Sequence, residues 1–193
     1  MINKFKSVVM IAFVFILVAA LPVLSEVNPS VNSIRDQNVQ AKSAPTSEDV
    51  KFAGDFYYFF RSVVDYNNNL KEDLVIEDDY DKSIAVIKEV MNRRLEYAKK
   101  TISDLESIKP TDKFVSCYNT VLEALKLDVT YVKQILKMCD EKASIEDINN
   151  FENTINQTNE SFMNAKEELV KVVKSWEEKY VQQVEEIYSE HQK

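Results

Sequence analysis

A single glycine, Gly54, and a single histidine, His191, serve the whole chain. Phosphate-cradling loops are built on several glycines, so nucleotide sites of that kind are excluded. His191 is third from the C-terminus, where helices fray, and a Ser–His–Asp or Cys–His site needs its histidine held rigidly. There is no CxxC, HExxH or CxxCH run, which removes the usual zinc and c-type haem patterns. The two Glu-x-x-His motifs of a di-iron bundle are missing as well. No cofactor and no metal ligand set is expected. Proline is also scarce: there are four, and none beyond Pro110.

Basic residues are outnumbered, with 24 Lys and Arg against 32 Asp and Glu, for a formal charge of −8. Nucleic acid calls for clustered cations, so it is not an expected partner. Tight adhesion to anionic lipid is disfavoured for the same reason. Hydrophobic residues make up 45% of the chain, enough for one well-buried domain.

Cysteine occurs twice, as Cys117 and Cys139. Both fall in one helical pattern, 22 residues apart, which is about 33 Å along a continuous helix. A disulfide needs α-carbons within about 7 Å, so the two are not expected to bond to each other.

What the chain does have begins with a leader. Lys4 and Lys6 precede the apolar run Ser7–Leu21, and Pro22 and a polar patch from Ser25 follow. That is the layout of a secretory signal over 1–25, with cleavage expected near Ser25. Retained, the same segment would be a short membrane anchor, the one route to a membrane that the sequence offers. Residues 26–45 mix Ser, Asn, Gln, Pro and Lys without a period and read as a linker. The expected location is outside the cell or at its surface.

Residues 46–193 carry helical periodicity almost throughout. Thr46 and Ser47 offer a capping hydroxyl, with Glu48 and Asp49 in the first turn. Phe56, Phe60, Val63, Asn67, Leu70 and Leu74 then mark a heptad stripe with Asn67 as its polar member. The acidic run Glu77–Asp81 lacks the glycine and closing glutamate of a calcium loop and reads as a helix start. Ile84, Ile87, Met91, Ala98, Ile102, Leu105 and Ile108 form the second stripe, closed by Pro110. The third runs through Phe114, Tyr118, Val121, Leu125, Val132, Leu136 and Cys139, interrupted by Asp128. Ser144 and Asp147 resemble a capping box for the last helix. Its stripe of Ile148, Phe151, Ile155, Phe162, Ala165, Leu169, Val172, Trp176, Tyr180, Val184 and Ile187 predicts one helix of about 70 Å.

The expected fold is all-α: an up-down antiparallel four-helix bundle with a long C-terminal helix, preceded by the signal or anchor helix. The fourth helix would overhang the other three, leaving Trp176, Tyr180, Val184, Ile187 and Tyr188 in need of cover. The linker folding back, a second copy of the chain, and the membrane side are the three covers considered. The run Phe56–Phe60 has too many aromatics for one helix face, and Phe59, with Phe52 and Tyr66, forms a second stripe beside the core one. Phe52, Phe59, Tyr66, Trp176, Tyr180, Val184, Ile187 and Tyr188 are therefore the candidate interaction surface, for a protein partner, a homodimer or an apolar ligand. Gly54 lies inside the first pattern and suggests close helix packing or a local bend. Sequons occur at Asn156 and Asn159.

The function expected from this pattern is non-enzymatic binding by an exported bundle. A membrane-tethered envelope spacer is the alternative. A carboxylate-pair enzyme ranks third, because such pairs work in a cleft and a short-looped bundle offers little of one.

Overall fold

The computed structural model describes residues 44–74, 79–140 and 145–192, and every regular element among them is helical. The leader and almost all of the linker lie outside these residues, as do Glu77, Asp78 and Ser144. Helix α1 spans Ser47–Glu72. Its start is a reciprocal cap: the Asp49 N–H donates to Thr46 Oγ1 (3.1 Å) and the Thr46 N–H donates to Asp49 Oδ2 (2.9 Å). Helix α2 spans Tyr80–Glu106, and its N-cap Asp79 accepts from the N–H groups of Asp81 and Lys82. A 3-10 turn at Asp112–Phe114 leads into α3, Val115–Asp140. Helix α4 covers Ile145–Lys174 and α5 covers Glu178–Glu190.

Side-chain pairs give the directions. Tyr66 of α1 stacks on Tyr97 of α2, and Asp73 pairs with Arg93, so α2 runs back along α1. Lys88 pairs with Asp140 and Tyr118 donates to the Leu105 carbonyl, so α3 reverses again. Tyr131 stacks on Phe151 near the start of α4, and the Cys117 thiol reaches the Ala165 carbonyl near its end. Helices α2, α3 and α4 pack closely side by side. Helix α1 packs chiefly on α5, and rings such as Phe60 against Phe162 bridge it to α4.

Five helices, not four, make up the described fold. The long C-terminal helix is broken at Ser175–Glu177, and α5 folds back beside α1. Gly54 faces Val184 and Ile187, while Tyr57 and Tyr58 meet Tyr188. The two helices therefore run parallel. The cover for the expected overhang is the chain's own first helix, which periodicity alone did not offer. The physical reason is burial. A few intrahelical hydrogen bonds, worth about 1 kcal/mol net each, are given up at the break. In return Trp176 and Val184 leave water, at roughly 1.5–3 kcal/mol per side chain.

The core has two apolar ends. One gathers Phe52, Phe56 and Phe60 with Leu105, Phe114, Val121, Leu125, Leu169 and Trp176. The other gathers Leu70, Ile87, Met91, Tyr131, Val132, Ile135, Phe151 and Ile155. Among the described residues no helix is long and apolar enough to cross a membrane.

Candidate functional site

Among the described residues the buried charges are Asp49, Arg94 and Asp128, and each joins helices. Arg94 of α2 and Asp128 of α3 are 5% and 3% exposed. The guanidinium meets the carboxylate with two nitrogens, Nε to Oδ2 at 3.3 Å and Nη2 to Oδ1. The fork geometry suits a bidentate pair. The Arg94 guanidinium also lies 5.3 Å from the centre of the Tyr131 ring. Burial alone would pull the arginine down, but Asp128 beside it holds it above its ordinary value. Burial pushes the Tyr131 phenol up, only partly offset by Arg94. The pair is buried, and each member is the other's hydrogen-bond partner.

Helical spacing explains its location. In α1, α2, α3 and α4 the stripe residue between the two apolar ends is polar: Asn67, Arg94, Asp128 and Thr158, all buried. Asn67 and Asp128 were legible in the sequence as breaks in their stripes. Arg94 and Thr158 were not, although the gaps between Met91 and Ala98 and between Ile155 and Phe162 mark their places. Opposite charges interrupting two neighbouring stripes were the signal that could have paired them.

A second tie closes the end of the bundle where α1 begins. The buried Asp49 carboxylate accepts from Lys113 Nζ (2.8 Å), Thr111 Oγ1 (2.7 Å) and the Thr46 N–H. It thus joins the α1 cap to the turn between α2 and α3. Burial would raise this carboxyl, but the bonds from Lys113, Thr111 and Thr46 outweigh it and hold it at about 2.

The third tie lies along α1 and α5. His191 caps the C-terminal end of α5, its Nε2 is 2.8 Å from Asp55 Oδ1, and its ring stacks on Tyr58 at 4.6 Å. The histidine expected at a fraying end is thus held from two sides. Burial raises the Asp55 carboxyl, while the Lys51 and His191 hydrogen bonds pull it below its ordinary value.

The candidate interaction residues are brought together in part. Phe52, Trp176 and Val184 are buried, so they face the core. Trp176 meets Phe114 edge-on at 5.9 Å, and Phe114 lies 5.1 Å from Phe52. Phe59, Tyr180, Ile187 and Tyr188 are half-buried and pack against the same apolar end. Tyr66 sits apart, stacked on Tyr97 and donating to the Arg93 carbonyl at 3.2 Å. Both cysteines are free. Burial, with Glu168 nearby, pushes the Cys117 thiol up to about 12, and burial raises Cys139 to about 11. Neither is poised as a nucleophile.

One outer surface was missed. Between Asn149 and Asn164, α4 carries two charges only, Glu152 and Glu160, in a chain that is 29% charged. Asn149, Asn153, Asn156 and Asn164 are exposed along one side, with Met163 at 54% among them. Met163 and Val115 are the exposed large hydrophobics among the described residues. The chain matches no protein-family model, no curated protein and no solved structure.

Proposed function

We propose that this is an exported, non-enzymatic helical protein that acts by binding another protein through the outer face of α4. The observation that carries the reading is the charge-poor, amide-rich stretch Asn149–Asn164 with Met163 exposed in it. The centres of protein interfaces are depleted in Lys, Glu and Asp and enriched in Met, while side-chain amides supply adaptable hydrogen bonds. The buried charges support a binding rather than a catalytic role, because Arg94, Asp128 and Asp49 are each committed to holding helices together. The aromatic cluster is closed on itself, with Phe52, Phe114 and Trp176 filling one another's space, so a protein partner is favoured over an apolar ligand. Export rests on the leader pattern of residues 1–25.

The test is photo-crosslinking in the native setting with the full chain, carrying the probe at Asn156 or, as control, at exposed Glu89 on α2. A discrete adduct from Asn156, absent from Glu89 and abolished by Met163→Arg, is expected. Equal labelling from both positions, or none, defeats the reading. N-terminal sequencing of the same material decides the export part: a terminus near Ser25 is expected. An intact Met1 in a membrane fraction would favour the tethered spacer instead.

A further inference from the structure

We infer that α5 is an exchangeable arm, and that a second copy of this chain is the partner it fits. In the closed monomer α5 lies on its own α1. In the dimer the break at Ser175–Glu177 straightens, α4 and α5 become one helix, and each α5 lies on the partner's α1.

Four observations carry this. First, the apolar stripe crosses the break without a skip: Ala165, Leu169, Val172, Trp176, Tyr180, Val184 and Ile187 keep steps of three and four. The residues thus encode a continuous helix as readily as two. Second, the break contains neither proline nor glycine, the residues that ordinarily force one. It is held by short bonds from the Ser175 and Trp176 N–H groups to the carbonyls of Val172 and Val173, and from Ser175 Oγ to Val172. The α5 N-cap, Glu177, makes no side-chain capping bond. Third, α5 has 13 residues, a length that is marginal alone in water, so its stability comes from the groove it occupies. That groove is specific: Gly54 admits Ile187 at a distance no side chain would allow, with the Val184 carbonyl oxygen 3.3 Å from where a Cβ would stand.

The fourth observation is direction. Helix α5 runs parallel to α1, and α4 ends at the end of the bundle where α1 begins. A straightened α4–α5 helix therefore projects beyond that end. A two-fold axis there turns the partner end for end, so the partner's α1 runs away from the seam in the direction of the incoming α5. The parallel packing seen in the monomer is thus reproduced between copies. Exchange of an identical element replaces every contact it breaks, which is why it is a low-cost route to a dimer. Straightening also restores intrahelical hydrogen bonds across the break.

The test uses the full chain and light scattering over a range of concentrations, including after refolding at high concentration. A concentration-dependent dimer is expected. Glu178→Pro separates the two states. Position 178 is the first residue of α5, where proline is welcome, and Glu177 before it already has the extended backbone that proline prefers (φ −68°, ψ 149°). Inside a continuous helix the same proline costs about 3 kcal/mol, so self-association is expected to weaken by about a hundredfold or more while the monomer stays folded. Ser175→Ala/Glu177→Ala, which removes the turn's capping hydroxyl and adds helix formers, is expected to shift the population toward dimer. For the connectivity, Asp55→Cys/His191→Cys is placed in a Cys117→Ala/Cys139→Ala background and the isolated dimer is oxidised. Chains joined covalently on a denaturing gel support exchange. A dimer that yields only internally bridged single chains overturns it, as does a wild type that stays monomeric throughout, or a Glu178→Pro variant that dimerises as well as wild type.

Discussion

Gly54→Ala is the sharpest probe of how α5 is held, because helix propensity and tertiary packing disagree on its sign. Gly54 lies inside α1, beyond its first two turns, and alanine there is favoured by about 1 kcal/mol on propensity alone. The structure puts the new methyl 2.6 Å from Ile187 Cγ2, 2.7 Å from Ile187 Cβ and 3.3 Å from the Val184 carbonyl oxygen. Carbon atoms pack at about 3.5–4.0 Å, so a retreat of about 1 Å is needed. Two of the three obstacles, a Cβ and a backbone oxygen, cannot turn aside as a side-chain tip can. The helix must move, and with it fully buried Val184 and half-buried Tyr188. Overpacking of this kind costs about 1–3 kcal/mol, which exceeds the propensity gain in most of its range. A net loss of about 1 kcal/mol is expected in urea unfolding, together with earlier proteolysis within α5. The only tryptophan, Trp176, sits at the junction and reports by its fluorescence. Combining the change with Ile187→Ala should recover part of the loss, a coupling of more than about 0.5 kcal/mol. A Gly54→Ala protein as stable as wild type, with unchanged Trp176 emission, would refute the close approach of α1 and α5.

The other expectations follow from the buried polar groups. Asp49→Asn should cost about 2 kcal/mol at neutral pH, the equivalent of a carboxyl held at about 2 rather than 3.8. Because the folded value is depressed, the wild-type advantage is present above the unfolded value and is lost as pH falls from there through about 2. A difference between the two proteins that does not shrink in that window counters the assignment. Asp128→Leu alone should cost about 3–5 kcal/mol by stranding the Arg94 guanidinium, whereas Arg94→Met/Asp128→Leu should recover most of it. Simple additivity in that double-mutant cycle would mean that the two are not a pair. Both thiols should react slowly in the native protein, Cys139 before the more deeply buried Cys117, and fast labelling of Cys117 under native conditions would contradict its burial.

The sequence by itself determined the helical class, because spacing of apolar residues by three and four is a local property that any helix must show. It also located most of the core: Phe56, Phe60, Met91, Leu105, Val121, Leu125, Phe151 and Ile155 are all buried. The start of α1 was legible from Thr46 and its acidic first turn, and the free thiols from their separation within one helix. Tertiary structure decided the rest. The break at Ser175–Glu177 has no local cause, so no residue there announced it. It exists because Gly54 opens a groove on α1 that takes Val184 and Ile187, while Trp176 packs against Phe114, so both Val184 and Trp176 are buried as they would not be on an overhanging helix. The same fold-back turned Trp176 and Val184 from candidate surface into core, and Phe114, at the head of α3, packs on Phe52. The pairing of Arg94 with Asp128 was likewise invisible in either helix alone. A buried charge is tolerable only where a neighbouring helix brings its counter-charge to the same level, and that level is set by how the helices pack rather than by the residues beside it in the chain.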